Sequence, residues 1–85
     1  MMGDAFWSRI FGDLGCIFIP DSYYDECTGV SFIYFYLLRS DNDDEIFDCM
    51  DDLGVTFKSE SELFSWLRVN YEKVLNKILE KYENK

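Results

Sequence analysis

Seven carboxylates stand within twelve positions of one stretch of the chain, and no cation follows Arg39 in it. The stretch reads RSDNDDEIFDCMDD, and its acidic members are Asp41, Asp43, Asp44, Glu45, Asp48, Asp51 and Asp52. Carboxylates at this density can coordinate a hard cation, exchange protons in acid–base catalysis, or attract a basic macromolecule. The three chemistries make different demands on the rest of the sequence.

A cation site fails on spacing. A calcium loop of the EF-hand type has the pattern D-x-[DN]-x-[DN]-G and a glutamate at position twelve. Counted from Asp41, Asp43 and Glu45 fill positions three and five, but Ile46 replaces the glycine and Asp52 the glutamate. The sequence therefore predicts no dedicated metal site, and at most weak, loosely held magnesium or calcium.

Catalysis finds even less support. The chain has no histidine, which removes the commonest general base and the commonest metal ligand. It also lacks the glycine-rich phosphate-binding and G-x-S-x-G motifs. Cys27 is a poor nucleophile, because the neighbouring Asp25 and Glu26 would raise the pKa of its thiol. We expect no enzymatic activity, no catalytic residues and no cofactor.

Attraction of a basic partner fits the distribution of charge. The net charge is −9; residues 1–57 carry twelve acidic and two basic side chains, whereas residues 58–85 carry five and six. Phosphates would repel the acidic part, so direct nucleic-acid binding is disfavoured. A protein whose own groove holds DNA or RNA would instead attract this surface, and the carboxylates would compete with the nucleic acid.

A second group of candidate partner-binding residues precedes the acidic stretch. Tyr23 and Tyr24 are followed directly by Asp25 and Glu26. Exposed tyrosines are common anchors in protein interfaces, although the same residues could simply cover the core. The predicted partner-binding set therefore contains these four residues and the seven carboxylates of residues 41–52.

The local fold of the acidic stretch decides how its carboxylates are arranged. Ile46, Cys49, Met50 and Leu53 recur at helical spacing, which predicts a short helix from about Asp44 to Leu53. Asp44, Asp48 and Asp51 would then share one face, with neighbours about 5 to 6 Å apart, similar to the phosphates of a nucleic-acid strand. A hairpin strand through EIFDCM remains the alternative.

A solvated face is the other explanation of the charge. Acidic residues in the first turn of a helix stabilise it by about 0.3 to 1 kcal/mol, which accounts for Asp43, Asp44 and Glu45. It accounts less well for Asp48, Asp51 and Asp52, because like charges at i, i+3 or i, i+4 repel and carboxylates near the end of a helix oppose its dipole. The sequence is thus compatible with a partner-binding acidic surface and with a solvated face.

The remaining segments predict an α+β fold. A first helix covers DAFWSRIFGDLG, capped by Asp4 and ended by Gly15; CIFIP is a short strand stopped by Pro20; and DSYYDECTG is a loop. GVSFIYFYLL carries apolar side chains on both faces, as in a strand covered on both sides or placed against helices and a partner. A long final helix begins at a capping box of Ser59 and Glu62 and buries the residues Leu63, Leu67, Tyr71, Val74, Ile78 and Tyr82, with Phe64, Leu75 and Leu79 beside them.

Together these elements predict one domain over residues 1–85. A short antiparallel sheet would be packed by the N-terminal helix, a short acidic helix and the long amphipathic C-terminal helix. The three cysteines show no C-x-x-C pair, and no signal peptide or membrane-spanning run is recognisable. We therefore expect reduced, mostly buried thiols, a cytoplasmic protein and no membrane partner.

In charge and size the chain is similar to small acidic inhibitors that phages direct against host nucleases and CRISPR effectors, and to immunity proteins that neutralise nuclease toxins. The resemblance includes no shared motif, so it implies a class of function and no residue roles. It implies an inhibitor that blocks a basic nucleic-acid-handling protein by nucleic-acid mimicry, as anti-CRISPR proteins do, or alternatively an immunity protein. A further alternative is a non-catalytic adaptor that binds through the apolar side of the last helix, for example Trp66 and Val69.

Overall fold

Three antiparallel strands lie between two terminal helices in the computed structural model, which describes residues 3–83. The order along the chain is α1 (Asp4–Gly12), β1 (Cys16–Asp25), β2 (Val30–Arg39), β3 (Glu45–Asp48), α2 (Cys49–Leu53) and α3 (Glu60–Glu83). The sheet order is β1-β2-β3. The predicted α+β class is confirmed, and the ends of the predicted domain fall outside the described residues.

The β1–β2 hairpin is longer than the sequence indicated. β1 continues through Pro20, which pairs with Phe35, and reaches Asp25 before a turn over residues 26–29. Proline interrupts a central strand because it lacks an N–H, but an edge strand tolerates it, and β1 is an edge strand. The prediction that the strand stops at Pro20 and that residues 21–25 form a loop was therefore wrong.

A row of aromatic side chains on one face of the sheet runs through the core. Phe18 of β1 and Phe35 of β2 lie 5.4 Å apart between ring centroids, and Phe47 of β3 lies 5.6 Å from Phe35. Helix α1 meets this row through Phe11, which stacks on Phe18 at 5.7 Å. Helix α3 meets it through Trp66, 6.3 Å from Phe35. Both terminal helices therefore cover the same face of the sheet.

Helix α1 also packs directly on α3. The ring of Tyr71 in α3 lies 5.9 Å from both Trp7 and Phe11. The N-cap of α1 is Gly3 rather than the predicted Asp4, which lies in the first turn and accepts a 3.4 Å hydrogen bond from Ser8. A carboxylate in that position still stabilises the helix dipole.

Helix α3 begins and buries its residues largely as predicted. Ser59 accepts a hydrogen bond from the Glu62 N–H at 3.2 Å, while the Glu62 carboxylate reaches back to the Lys58 N–H at 2.9 Å, one residue before the expected donor. The helix bends at Asn70, whose side-chain amide donates to the Trp66 carbonyl at 2.9 Å. Within residues 3–83 no helix has both the length and the apolarity needed to cross a bilayer.

The apolar side of α3 is occupied by the core. Leu63, Leu67, Val74 and Ile78 are all buried. Trp66 packs between Phe35 and Phe57, whose ring lies 5.6 Å away, so of the two residues named for an adaptor surface only Val69 is fully exposed. Leu79, predicted to sit beside the buried set, is half exposed.

The acidic stretch splits into a strand and a helix. Residues 45–48 pair with β2 as β3, and the helix begins only at Cys49, so the prediction of one helix over 44–53 was wrong in its first half. The helical spacing of Ile46, Cys49 and Leu53 does not produce a helix before Cys49, because β2 supplies a strand partner. Phe47 pairs with Leu37, and both side chains are buried in the core. The predicted left-handed glycine at the helix end is confirmed at Gly54, with φ 65°.

Helix α3 offers a direct check of this packing. We expect Leu67→Ala to lower the free energy of unfolding by about 2 to 5 kcal/mol, because it opens a cavity under a fully buried side chain. Val69→Ala, two residues away and 82% exposed, should change it by less than about 0.5 kcal/mol. Urea denaturation of both variants measures the difference. Equal losses for the two would contradict the packing of α3 on the sheet.

Candidate functional site

Within residues 3–83, no helix packs on one of the two faces of the sheet. Paired residues of an antiparallel sheet share a face, so the side opposite the core carries Leu38, Tyr36, Tyr34 and Phe32 from β2 and their partners Ile17, Ile19, Asp21 and Tyr23 from β1. We call these eight residues the open face. Ile17, Asp21 and Tyr23 are exposed, and the five other members are half-buried. Strand β2 is thus apolar on both faces, as predicted, but the described helices cover only one of these faces.

Two stacked aromatic pairs organise the open face. Tyr34 and Tyr36 lie 6.0 Å apart with 27° between their ring planes, and Tyr23 and Phe32 lie 6.4 Å apart with 10° between theirs. The Tyr34 hydroxyl donates to Asp21 at 3.4 Å. Burial, followed by the charge of Asp21, raises the pKa of Tyr34, so this phenol stays protonated at neutral pH and can donate hydrogen bonds.

An acidic cluster borders the open face along β3. Glu45, Asp48 and Asp51 each place a carboxylate oxygen within 4.8 Å of the others. Asp48 pairs with Tyr36 and Glu45 pairs with Leu38, so both carboxylates stand on the side of the open face. The predicted helical row of Asp44, Asp48 and Asp51 is replaced by these three residues, which a strand end and a helix start bring together.

Two of the predicted carboxylates stabilise the fold. Asp48 is the N-cap of α2 and accepts hydrogen bonds from the N–H groups of Met50 and Asp51, at 2.8 and 3.3 Å. Asp52 accepts from the Asp48 N–H at 2.8 Å and forms an ion pair with Lys81 of α3 at 2.7 Å. The expectation that helix stability leaves these two unexplained was wrong, because α2 starts later and a distant lysine reaches Asp52.

The other predicted carboxylates of the stretch lie in the β2–β3 loop. Asp41 pairs with Arg39 at 3.1 Å, and Asn42 accepts from the Asp44 N–H at 3.0 Å. Asp43 has a φ of 59°, a left-handed conformation that aspartate tolerates better than most residues. All three carboxylates are exposed. They extend the negative surface beyond the acidic cluster without joining it.

The surroundings of Glu45 raise the pKa of its carboxyl group. Burial raises its pKa first, and the charges of Asp48 and Asp51 raise it further, while Lys81 lowers it. Among the residues that the structure describes, no cation lies within 4.0 Å of Glu45, Asp48 or Asp51. Bringing a cation to this cluster would therefore relieve repulsion that is present in the folded chain.

The acidic cluster could bind a hard cation through its carboxylate oxygens, but it contains only three carboxylates. One oxygen of each of the three carboxylates lies within 4.8 Å of the others. Three such ligands fall short of the roughly six to eight oxygens that calcium takes and the roughly six that magnesium takes. Water would have to complete either shell. This donor set agrees with loose ion binding and does not make a protein cage.

The tyrosine group divides between two faces. Tyr23 pairs with Phe32 and belongs to the open face, whereas Tyr24 pairs with Ser31 and points to the other side; their exposures are 52% and 59%. Asp25 accepts from the Cys27 N–H at 2.9 Å in the turn that also holds the exposed Glu26. Asp48 stands opposite Tyr36, four residues along β2 from Phe32, so the two predicted groups lie roughly 13 Å apart along the strand.

Sequence reasoning missed the residues between these groups. Asp21, Tyr34 and Tyr36 were not among the predicted partner-binding residues, yet they connect Tyr23 to the acidic cluster along the open face. The available signal was the apolar character of both faces of GVSFIYFYLL in a chain with few helices to cover them.

The thiols do not resemble activated nucleophiles. Burial raises the pKa of Cys49 to about 11 and raises that of Cys16 as well. Cys27 is the exposed cysteine, in the turn between β1 and β2. The expectation of mostly buried thiols is confirmed, since Cys16 and Cys49 are buried and Cys27 alone of the three is exposed.

Comparisons with protein-family models, with curated proteins and with solved structures found no match for this chain. The geometry of the open face and of the acidic cluster is therefore the basis for any assignment of function.

The raised pKa of Glu45 predicts a pH dependence of stability. A carboxyl whose pKa is higher in the folded than in the unfolded state loses its stabilising contribution as the pH rises through the folded-state value. Glu45→Gln imitates the protonated form, so its urea midpoint should match the parent at about pH 3.5 and exceed it at about pH 7. Glu72→Gln, on the exposed side of α3, controls for the loss of one charge. A Glu45→Gln effect of equal size at both pH values would contradict the raised pKa.

Thiol labelling should distinguish the three cysteines. Because Cys27 is exposed while Cys16 and Cys49 are buried, a disulfide reagent should modify one thiol rapidly in the native protein and all three in urea. Cys27→Ser should abolish the rapid phase. Rapid labelling of two or more thiols in the native parent would contradict the burial of Cys16 and Cys49.

Proposed function

We propose that this protein is an inhibitor that binds a basic nucleic-acid-handling protein and occupies the surface where its nucleic acid would lie. The acidic cluster is the observation that carries the proposal. Glu45, Asp48 and Asp51 hold carboxylate oxygens within 4.8 Å of one another, a density of charge comparable with the phosphates of a strand, which follow at about 3.4 Å of rise.

The electrostatic state of the cluster supports a cationic partner. Burial and like charge raise the pKa of Glu45. The carboxylates of the cluster therefore repel one another in the folded chain, and an arginine or lysine of a partner would offset this repulsion. Asp51 adds to this, because its carboxylate takes no part in the capping of α2 that accounts for Asp48. A hydrogen bond to a charged group contributes about 1.5 to 3 kcal/mol. Two or three such contacts would therefore supply a large share of the roughly 12 kcal/mol that nanomolar binding represents.

The charge around the cluster supports long-range attraction. The exposed Asp41, Asp43 and Asp44 extend it along the β2–β3 loop, and the net charge of the chain is −9. Opposite charge steers association and raises its rate, an effect that falls with ionic strength. A basic groove built to hold phosphates is the kind of surface on which both effects act together.

The test begins with the partner and ends with competition. Immobilised protein is exposed to lysate of the source cell, bound proteins are eluted with a salt gradient, and those identified are purified. We expect a basic nucleic-acid-binding protein among them, and we expect labelled DNA or RNA to compete with the inhibitor for it. Binding that nucleic acid does not affect would contradict the proposed inhibition.

Matched charge variants locate the binding surface. We expect Glu45→Gln with Asp51→Asn to weaken binding to the purified partner by about a hundredfold, since two charged contacts of about 1.5 kcal/mol each are lost. It should also slow association and flatten the salt dependence. Asp48 is left in place because it caps α2.

The control variant removes the same charge elsewhere. Asp13→Asn with Glu72→Gln neutralises two exposed carboxylates, one at the end of α1 and one on α3. It should bind nearly as well as the parent. If both double variants weaken binding equally, net charge rather than the acidic cluster is responsible.

A further inference from the structure

The open face carries features that the acidic cluster alone does not explain. Tyr34 and Tyr36 form a stacked pair in the middle strand. On the β1 side Tyr34 is paired with Asp21, and on the β3 side Tyr36 is paired with Asp48. Strands lie about 4.8 Å apart, so a carboxylate stands within one strand spacing of the tyrosine pair on each side.

We propose that the open face is an arginine-binding surface: the guanidinium of a basic partner lies on the Tyr34 and Tyr36 rings and pairs with Asp21 or Asp48. This proposal rests on the proposed function and specifies how the partner is recognised. A cation over an aromatic ring gains attraction within about 6 Å of its centroid. A carboxylate beside the ring adds a charge-assisted hydrogen bond.

The chain itself contains an arginine held in this way. The guanidinium carbon of Arg39 lies 5.1 Å from the centroid of the Tyr82 ring, while its Nη2 donates to Asp41 at 3.1 Å. Tyrosine and aspartate together thus already hold one guanidinium between β2 and α3. The open face offers the same two groups, with no arginine of its own among its eight residues.

The chemistry of the site selects arginine over lysine. A guanidinium is planar, stacks on aromatic rings and is weakly hydrated, whereas an ammonium is compact and strongly hydrated. Carboxylates alone attract both cations, so a preference for arginine is the property that the tyrosines would add. Arginine and tyrosine are also frequent among the residues that contribute most to binding.

A second copy of this chain is a poor occupant. A twofold pair places the same surface of each copy against the other, which would bring Asp21, Asp48 and Glu45 of one copy close to those of its partner. Like charges in an interface cost several kcal/mol. A partner rich in arginine meets the opposite condition, since each of these carboxylates gains a counterion.

Two peptides of equal length and charge test the proposal. Nona-arginine and nona-lysine are titrated into the protein at about 150 mM salt, with amide chemical shifts recorded by NMR. We expect nona-arginine to bind at least about tenfold more tightly, and its largest shifts to fall on Ile19, Tyr34, Tyr36 and Asp48. Tyr36→Phe keeps the ring and should retain the preference, whereas Tyr36→Leu should reduce it towards the affinity for lysine.

The control is a tyrosine on the other side of the hairpin. Tyr24→Leu removes an exposed ring that pairs with Ser31 and does not belong to the open face, so the preference should survive it. Should Tyr36→Leu fail to fold, the shift map of the parent still decides, because arginine-induced shifts away from the open face would overturn the proposal.

The outcomes separate this proposal from the proposed function. Equal affinity for both peptides, lost in Glu45→Gln with Asp51→Asn, would overturn arginine recognition and leave binding through the acidic cluster in place. Binding of either peptide that is unchanged by that double variant would count against the acidic cluster and so against the proposed function. If neither peptide binds, arginine recognition is overturned.

Discussion

The packing of both terminal helices on one face of the sheet is the constraint on which the rest of the structure depends. Phe11 of α1 and Trp66 of α3 reach the same row of rings, Phe18 and Phe35, and the helices then contact each other through Tyr71. The two longer helices of the described residues are thereby both used on one face, and α2 has only five residues. No element among residues 3–83 covers the opposite side of the sheet, although its strands carry aromatic and branched residues suited to a cover.

The same arrangement sets where the negative charge can be tolerated. The carboxylates of residues 41–52 lie at the border of the sheet, away from the aromatic core, and the described core contains no buried charged side chain. Two of them are bound into the fold, Asp48 as the cap of α2 and Asp52 through Lys81. That ion pair ties the short helix to α3 and is partly exposed, so it contributes at most about 1 kcal/mol. Among the described residues, Glu45 and Asp51 form neither a helix cap nor an ion pair, so a cationic partner would gain most from these two carboxylates.

Local signals identified α3, its capping box and the left-handed Gly54, since each depends on residues within a few positions of one another. The errors came from pairing between distant segments. Pro20 ends a strand by local rules, but its place at the edge of the sheet lets β1 continue to Asp25. The helical spacing after Asp44 was genuine over Cys49–Leu53, and pairing with β2 drew the preceding residues into a strand. The candidate site was predicted only in part for the same reason: its acidic residues are adjacent in sequence, whereas Asp21, Tyr34 and Asp48 meet only across three strands.

Charge and aromatic surface act over different distances, and this separates their contributions to binding. Exposed carboxylates act through solvent over about 8 Å at physiological salt, so they set the rate of encounter and its salt dependence. The stacked tyrosines act only in contact, where water is excluded and a guanidinium loses its hydration. A surface with charge alone would release its partner as salt rises, whereas one that also stacks arginine would keep a salt-resistant part of its affinity. The juxtaposition of Tyr34 and Tyr36 with Asp21 and Asp48 on the open face therefore favours a partner that is recognised by its arginines and not merely attracted by its charge.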